Sequence, residues 1–186
     1  MPRATQNNVG AAATATRRSA RTRSATSIPA LPARSWRAKR QAQPGGRYIT
    51  TLRLPGALRD QLERRVREGY PNETCGLLLG HATGERVDVK EAAIARNLSV
   101  ERAADRYELD PADFVAADAR ARAAGMEIVG IWHSHPDHPA QPSPTDLKAA
   151  WEGWSYVILS VSRAGVEDLR SWRLDGGRFV EEEVAA

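Results

Sequence analysis

The sequence predicts a single α/β domain that begins near residue 48, and three observations carry that prediction. Apolar residues recur at strand-like spacing and then at helix-like spacing, in alternation along the chain. Residues 128–132 form an unbroken apolar run, as expected of a central strand covered on both faces. Proline, glycine and short capping side chains stand where the periodic stretches begin or stop.

Leu52 and Leu54 close a short first strand. Leu58, Leu62 and Val66 then repeat every four residues, one face of a helix that Gly69 and Pro71 stop. Residues 75–79 read as a short buried strand, and residues 87–94 as another after a turn at Thr83-Gly84. Asp110 before Pro111, with Asp113 three residues after the cap, marks a helix start. Phe114, Ala117, Ala121 and Ala124 supply that helix's inner face, and Gly125 ends it. The apolar run at 128–132 comes next and stops at Pro136. A helix over residues 143–151 leads to a strand at 156–161, and the chain closes with two strands joined by the turn Asp175-Gly176-Gly177.

Residues 1–47 have a different texture. They hold ten basic residues and no acidic one, and their larger apolar residues are scattered: Ile28, Leu31, Trp36. Such a segment buries too little apolar surface to offset chain entropy, so it reads as a disordered basic N-terminal extension. An electrostatic arm for nucleic acid or a targeting peptide has the same composition. Residues 48–186 carry 17 basic against 23 acidic residues, so the high isoelectric point belongs to the extension, and the acidic domain argues against nucleic acid as its partner.

The single cysteine, Cys75, cannot form an intramolecular disulfide, which points to a reducing, cytoplasmic location. No apolar run approaches the roughly 18 residues that span a bilayer, and the N-terminus lacks the apolar centre of a secretory signal. No membrane association is expected.

The chemistry is concentrated in one stretch. His133-Ser134-His135 stands where the central strand ends, and two-residue alternation projects both imidazoles to one face with Ser134 on the other. Asp146 follows eleven residues after His135, in the first turn of the next helix. Two imidazoles and a carboxylate are the ligand set of a catalytic zinc site, with a fourth position free for water whose pKa falls to about 7. Glu73 begins the 74–79 strand, which is placed to run beside His133 and set its carboxylate over the metal as a general base. Ser143 is placed to donate its hydroxyl to the developing oxyanion.

Each residue also has a plainer reading. Ser143-Pro144-Thr145-Asp146 is a well-formed helix start with a serine cap and an acid three residues on. The histidine pair alone reads equally as hydrogen-bonded structure, and Glu73 alone as a solvated carboxylate at a strand edge. Their coincidence carries the metal-site reading.

These residues resemble the JAMM family of metallopeptidases, the catalytic MPN domain. Its signature, a distant Glu, then H-x-H and, after ten intervening residues, an Asp, reads here as Glu73, His133-Ser134-His135-Pro136 and Ser143-Pro144-Thr145-Asp146. The flanking segments E-T-C-G-L-L-L-G and I-V-G-I-W-H-S-H-P are also similar, so the resemblance covers most of residues 48–184 and not the extension. It implies the MPN (JAB) fold, a mixed β-sheet flanked by helices in a cytidine-deaminase-like architecture, with one zinc bound at an edge of the sheet. It also implies Glu73 as acid/base, Ser143 as oxyanion stabiliser, and cleavage of an amide bond at the C-terminal tail of a ubiquitin-like protein. Bacterial relatives of this compact form act on ubiquitin-like sulfur carriers, so such a carrier is the expected substrate.

Other classes fit less well. A cysteine peptidase would use Cys75, which lies inside an apolar strand. A nucleobase deaminase needs H-x-E and P-C-x-x-C, and the chain has one cysteine. A non-catalytic MPN scaffold is the main alternative, and a RadC-like DNA-associated protein is a distant one that would read HNHP where this chain reads HSHP. His138, in the loop after Pro136, is placed near the metal as a further ligand or substrate contact, or as a plain loop histidine.

Overall fold

Seven strands and three helices succeed one another along residues 50–186, which the computed structural model of the chain describes. The extension expected over residues 1–47 and the expected domain start at Tyr48 lie outside the described residues. In chain order the elements are β1 (Thr51–Arg53), α1 (Gly56–Gly69), β2 (Cys75–Thr83), β3 (Arg86–Ala95), α2 (Pro111–Ala123), β4 (Glu127–Pro136), α3 (Pro144–Ala149), β5 (Ser155–Ser162), β6 (Gly165–Asp175) and β7 (Arg178–Ala185).

The sheet order is β1-β3-β2-β4-β5-β6-β7, and β1 pairs parallel with both β3 and β7, so the sheet closes on itself. The pairing is mixed, as expected: β4 and β5 run parallel across α3, while β2 lies antiparallel to β3 and β4. Closure itself is not in the local pattern. It depends on a three-residue strand, Thr51–Arg53, whose central Leu52 is fully buried and whose partners lie far along the chain.

Residues Cys75 to Gly80 of β2 are all buried, because both faces of the sheet are covered there. Leu78 packs with Leu62 and Val66 of α1, Trp132 and Leu159, while Leu77 and Leu79 pack with Phe114, Ala117 and Ala121 of α2. Each fully buried Leu contributes about 1.5–3 kcal/mol relative to exposure. The helix predicted from Asp110 begins as read: the Asp110 side chain accepts from the Ala112 N–H, and Gly125 takes φ +70° just past the end. The last helix is shorter than the 143–151 expected, because Ala150 is already extended and the Trp151 N–H donates to the Tyr156 hydroxyl. Among the described residues no helix is long and apolar enough to cross a membrane.

Gly76 sits in β2 between Ile94 of β3 and Trp132 of β4. A Cβ there would lie 2.0 Å from the Ala93 carbonyl oxygen and 2.5 Å from Trp132 Nε1, the donor of a 3.0 Å bond to that same carbonyl. Gly76→Ala is therefore expected to destabilise by about 1–3 kcal/mol, read as a lower urea midpoint with unchanged slope.

Candidate active site

Strand β4 ends in the buried sequence His133-Ser134-His135-Pro136. Ser134 turns away from the histidines, and its Oγ accepts from the Thr74 N–H at 2.9 Å. Both imidazoles thus face the other way. His133 Nε2 and His135 Nε2 are 3.1 Å apart, and Asp146 closes the triangle with Oδ1 3.3 Å from His133 Nε2 and Oδ2 3.7 Å from His135 Nε2. The cluster lies at the end of a central strand between β2 and β5, not at an edge strand of the sheet.

These separations match an ion-sized hole. Bonds of 2.0–2.1 Å in tetrahedral geometry put neighbouring zinc ligands about 3.3 Å apart, the middle of the observed range. His135 Nδ1 donates to the Pro139 carbonyl at 2.8 Å, which leaves the lone pair on Nε2 directed at the other two. Among the described residues, His133, His135 and Asp146 are the one group of three such side chains able to hold a metal.

Two of the three protonation states suit a cation. Burial pulls the His133 imidazole down toward its neutral form. Burial opposes ionisation of Asp146, but hydrogen bonds from His133 and His135 outweigh it and hold the carboxyl well below the usual range. For His135, burial is outweighed by its contacts with Asp146 and Pro139 and its pKa rises, so a cation must displace the proton that this favours on Nε2.

Asp146 stands in the helix cap and also faces the two imidazoles. Ser143 Oγ accepts from the Asp146 N–H at 3.1 Å and Asp146 Oδ2 accepts from the Ser143 N–H at 2.7 Å, a complete capping box. The box fixes the carboxylate while Oδ1 stays directed at His133.

Glu73 lies just before β2. Cys75 pairs with His133 and the Ser134 N–H donates to the Thr74 carbonyl, so continuing the register sets Glu73 opposite His135, on the same face. The residue is only 8% exposed. Burial, opposed by His135 and reinforced by Asp146, pushes its pKa up to about 7.

A family profile described as prokaryotic homologs of the JAB domain matches residues 55–175, a span that holds the whole cluster and Glu73. The chain belongs to the prokaryotic JAB family. It is accordingly a hydrolase of the peptidase class. A desampylase of Haloferax volcanii is 36% identical over 116 residues, 59% of this chain and 80% of that one. The CysO-cysteine peptidase of Mycobacterium tuberculosis is 31% identical over 138 residues, 74% of this chain and 90% of that one. A solution structure of a protein from Desulfitobacterium hafniense superposes with TM-score 0.63 at 28% identity, covering 72% of this chain and 91% of that one.

Within this JAB domain the cysteine, other histidine and tryptophan side chains near these strands fall apart from the cluster. Cys75 is fully buried and burial pushes its thiol up to about 12, the state of an inert packing residue and not of a nucleophile. His138 is exposed and lies outside the three-residue cluster; its carbonyl accepts from Ser160 Oγ. His81 is an exposed residue of β2. Trp132 is buried in the core, and Trp151 packs on Phe114 and Trp154.

Three features escape a reading of the sequence. The Pro139 carbonyl orients His135. Tyr107, in the connection between β3 and α2, lays its ring on His133 with centroids 4.6 Å apart. Asn97, in the same connection, bonds the backbone of Glu73. None belongs to a periodic element or a spaced motif, so only the folded connection brings them to the site.

Proposed function

We propose that this JAB-family hydrolase is a zinc-dependent peptidase that cuts the amide bond following the C-terminal tail of a ubiquitin-like protein of the sulfur-carrier type. The observation that carries the reading is the triangle of His133, His135 and Asp146 beside a buried carboxyl, Glu73. The relatives' names, desampylase and CysO-cysteine peptidase, support the substrate class that the sequence resemblance implies.

His133, His135 and Asp146 would hold one zinc, which when bound supplies a Lewis acid that activates water and polarises the carbonyl. Glu73 takes the proton from the attacking water and passes it to the departing amine. With its pKa near 7, the carboxyl is populated in both forms at neutral pH, which suits a group that must accept and then donate. Ser143 Oγ uses a lone pair in the cap, so its own proton is left to donate to the developing oxyanion.

A cleft of about 470 Å³ is lined by Glu73, Thr74 and Arg65 together with residues 94–98 and Asp113. A tail ending in Gly-Gly lies extended and lacks side chains to obstruct the approach. Incubation of the protein with such a carrier joined to lysine through its terminal glycine is expected to release carrier of intact mass ending in Gly-Gly. Recovery of the uncut conjugate alone, with zinc bound, would favour the scaffold reading.

Ser143→Ala separates cap from catalyst. Loss of the cap costs about 1 kcal/mol. Loss of an oxyanion donor lowers kcat by about 10²-fold as well. Zinc content is expected to stay stoichiometric, and a stability loss with unchanged kcat would assign Ser143 to the cap alone.

A further inference from the structure

The connection between β3 and α2 is irregular, yet one side chain in it satisfies its full hydrogen-bonding capacity. Asn97 Nδ2 donates to the Glu73 carbonyl at 3.1 Å and to the Arg106 carbonyl at 3.0 Å. Its Oδ1 accepts from the N–H groups of Ser99 at 2.9 Å and Glu108 at 3.0 Å. An amide offers two donor hydrogens and two acceptor lone pairs, and all four are used.

The partners are informative. Arg106 and Glu108 flank Tyr107, the residue whose ring lies on His133. Glu73 is the carboxyl opposite His135, and its own N–H donates to the Ala103 carbonyl of the same connection. Both main-chain polar groups of Glu73 are therefore held by this one segment, which main-chain contacts fold back on itself: the Leu98 N–H bonds the Glu108 carbonyl, and Asn97 bridges Leu109. Glu73 lies outside β2, so no strand ladder fixes it.

We propose that Asn97 is a positioning residue of the active site, whose side-chain amide fixes the main chain of Glu73 and ties it to the segment that carries Tyr107 onto His133. This rests on the catalytic reading of Glu73. A turn residue serving the connection alone would need only the bonds to Ser99, Arg106 and Glu108; the bond to Glu73 reaches across to the site. Displacing a catalytic group by about 1 Å lowers the rate about 10²-fold, and freedom at the Glu73 carbonyl permits such a displacement.

Asn97→Asp keeps both acceptor bonds and turns an oxygen toward the Glu73 and Arg106 carbonyls; Asn97→Ser, smaller and uncharged, keeps the test available if the first variant does not fold. Both are assayed as folded, zinc-loaded protein on a fluorogenic peptide amide ending in Gly-Gly. The expected result is a kcat lowered about 30- to 100-fold with KM within about threefold, and no further fall when the substitution is placed in Glu73→Gln. Unchanged kcat, or the same fold-loss again in Glu73→Gln, would overturn the proposal, since Asn97 would then act on stability or elsewhere. Full activity of Glu73→Gln by itself would overturn the catalytic reading instead.

Discussion

Glu73→Gln is expected to lower kcat by about 10²–10⁴-fold while the protein keeps one zinc per chain and an unchanged melting temperature within a few degrees. The amide preserves the shape of the side chain of a buried residue but neither accepts nor returns a proton. The pH profile adds a signed check. A raised carboxyl pKa means that Glu73 is neutral below about pH 7 and anionic above it, and only the anion accepts a proton. The acid limb of kcat/KM should therefore rise through about pH 7 in the wild type, whereas the residual activity of Glu73→Gln should lack that rise and fall only at the lower pH where zinc is lost.

The second large effect concerns the metal. His133→Ala and Asp146→Ala are expected to purify with zinc well below stoichiometric and with no measurable turnover, read by metal analysis beside the assay. Asp146→Ala removes the capping-box carboxylate too, so about 1 kcal/mol of stability goes with it. Asp146→Asn is the sharper variant, because it retains an acceptor for the Ser143 N–H and loses the charge; it should keep the helix and still hold zinc poorly. Acid should act in the same direction. Ligand imidazoles must be neutral, so protons displace zinc as pH falls below roughly 6.5, while Asp146, held far below its usual range, stays ionised throughout.

Much of this was legible from residue order. The unbroken run at 128–132 announced the central strand, and the alternation His133-Ser134-His135 announced two imidazoles on one face, since both depend only on local periodicity. Asp146 was legible as a cap and as a candidate ligand for the same reason, and in the structure its carboxylate accepts the cap hydrogen bond and faces His133. Closure of the sheet through Thr51–Arg53 was not legible, because pairing between distant strands leaves no trace in a three-residue segment. Asn97, Tyr107 and the Pro139 carbonyl were hidden for a related reason: they act from irregular backbone whose course is set by tertiary contacts.

The most direct test is zinc dependence of hydrolysis. Protein purified with zinc, stripped by a chelator and then titrated with the metal should lose cleavage of a Gly-Gly-linked carrier conjugate and recover it fully at one equivalent per chain. Cleavage undiminished in the stripped protein, or failure to retain zinc at neutral pH, would contradict a site built on His133, His135 and Asp146.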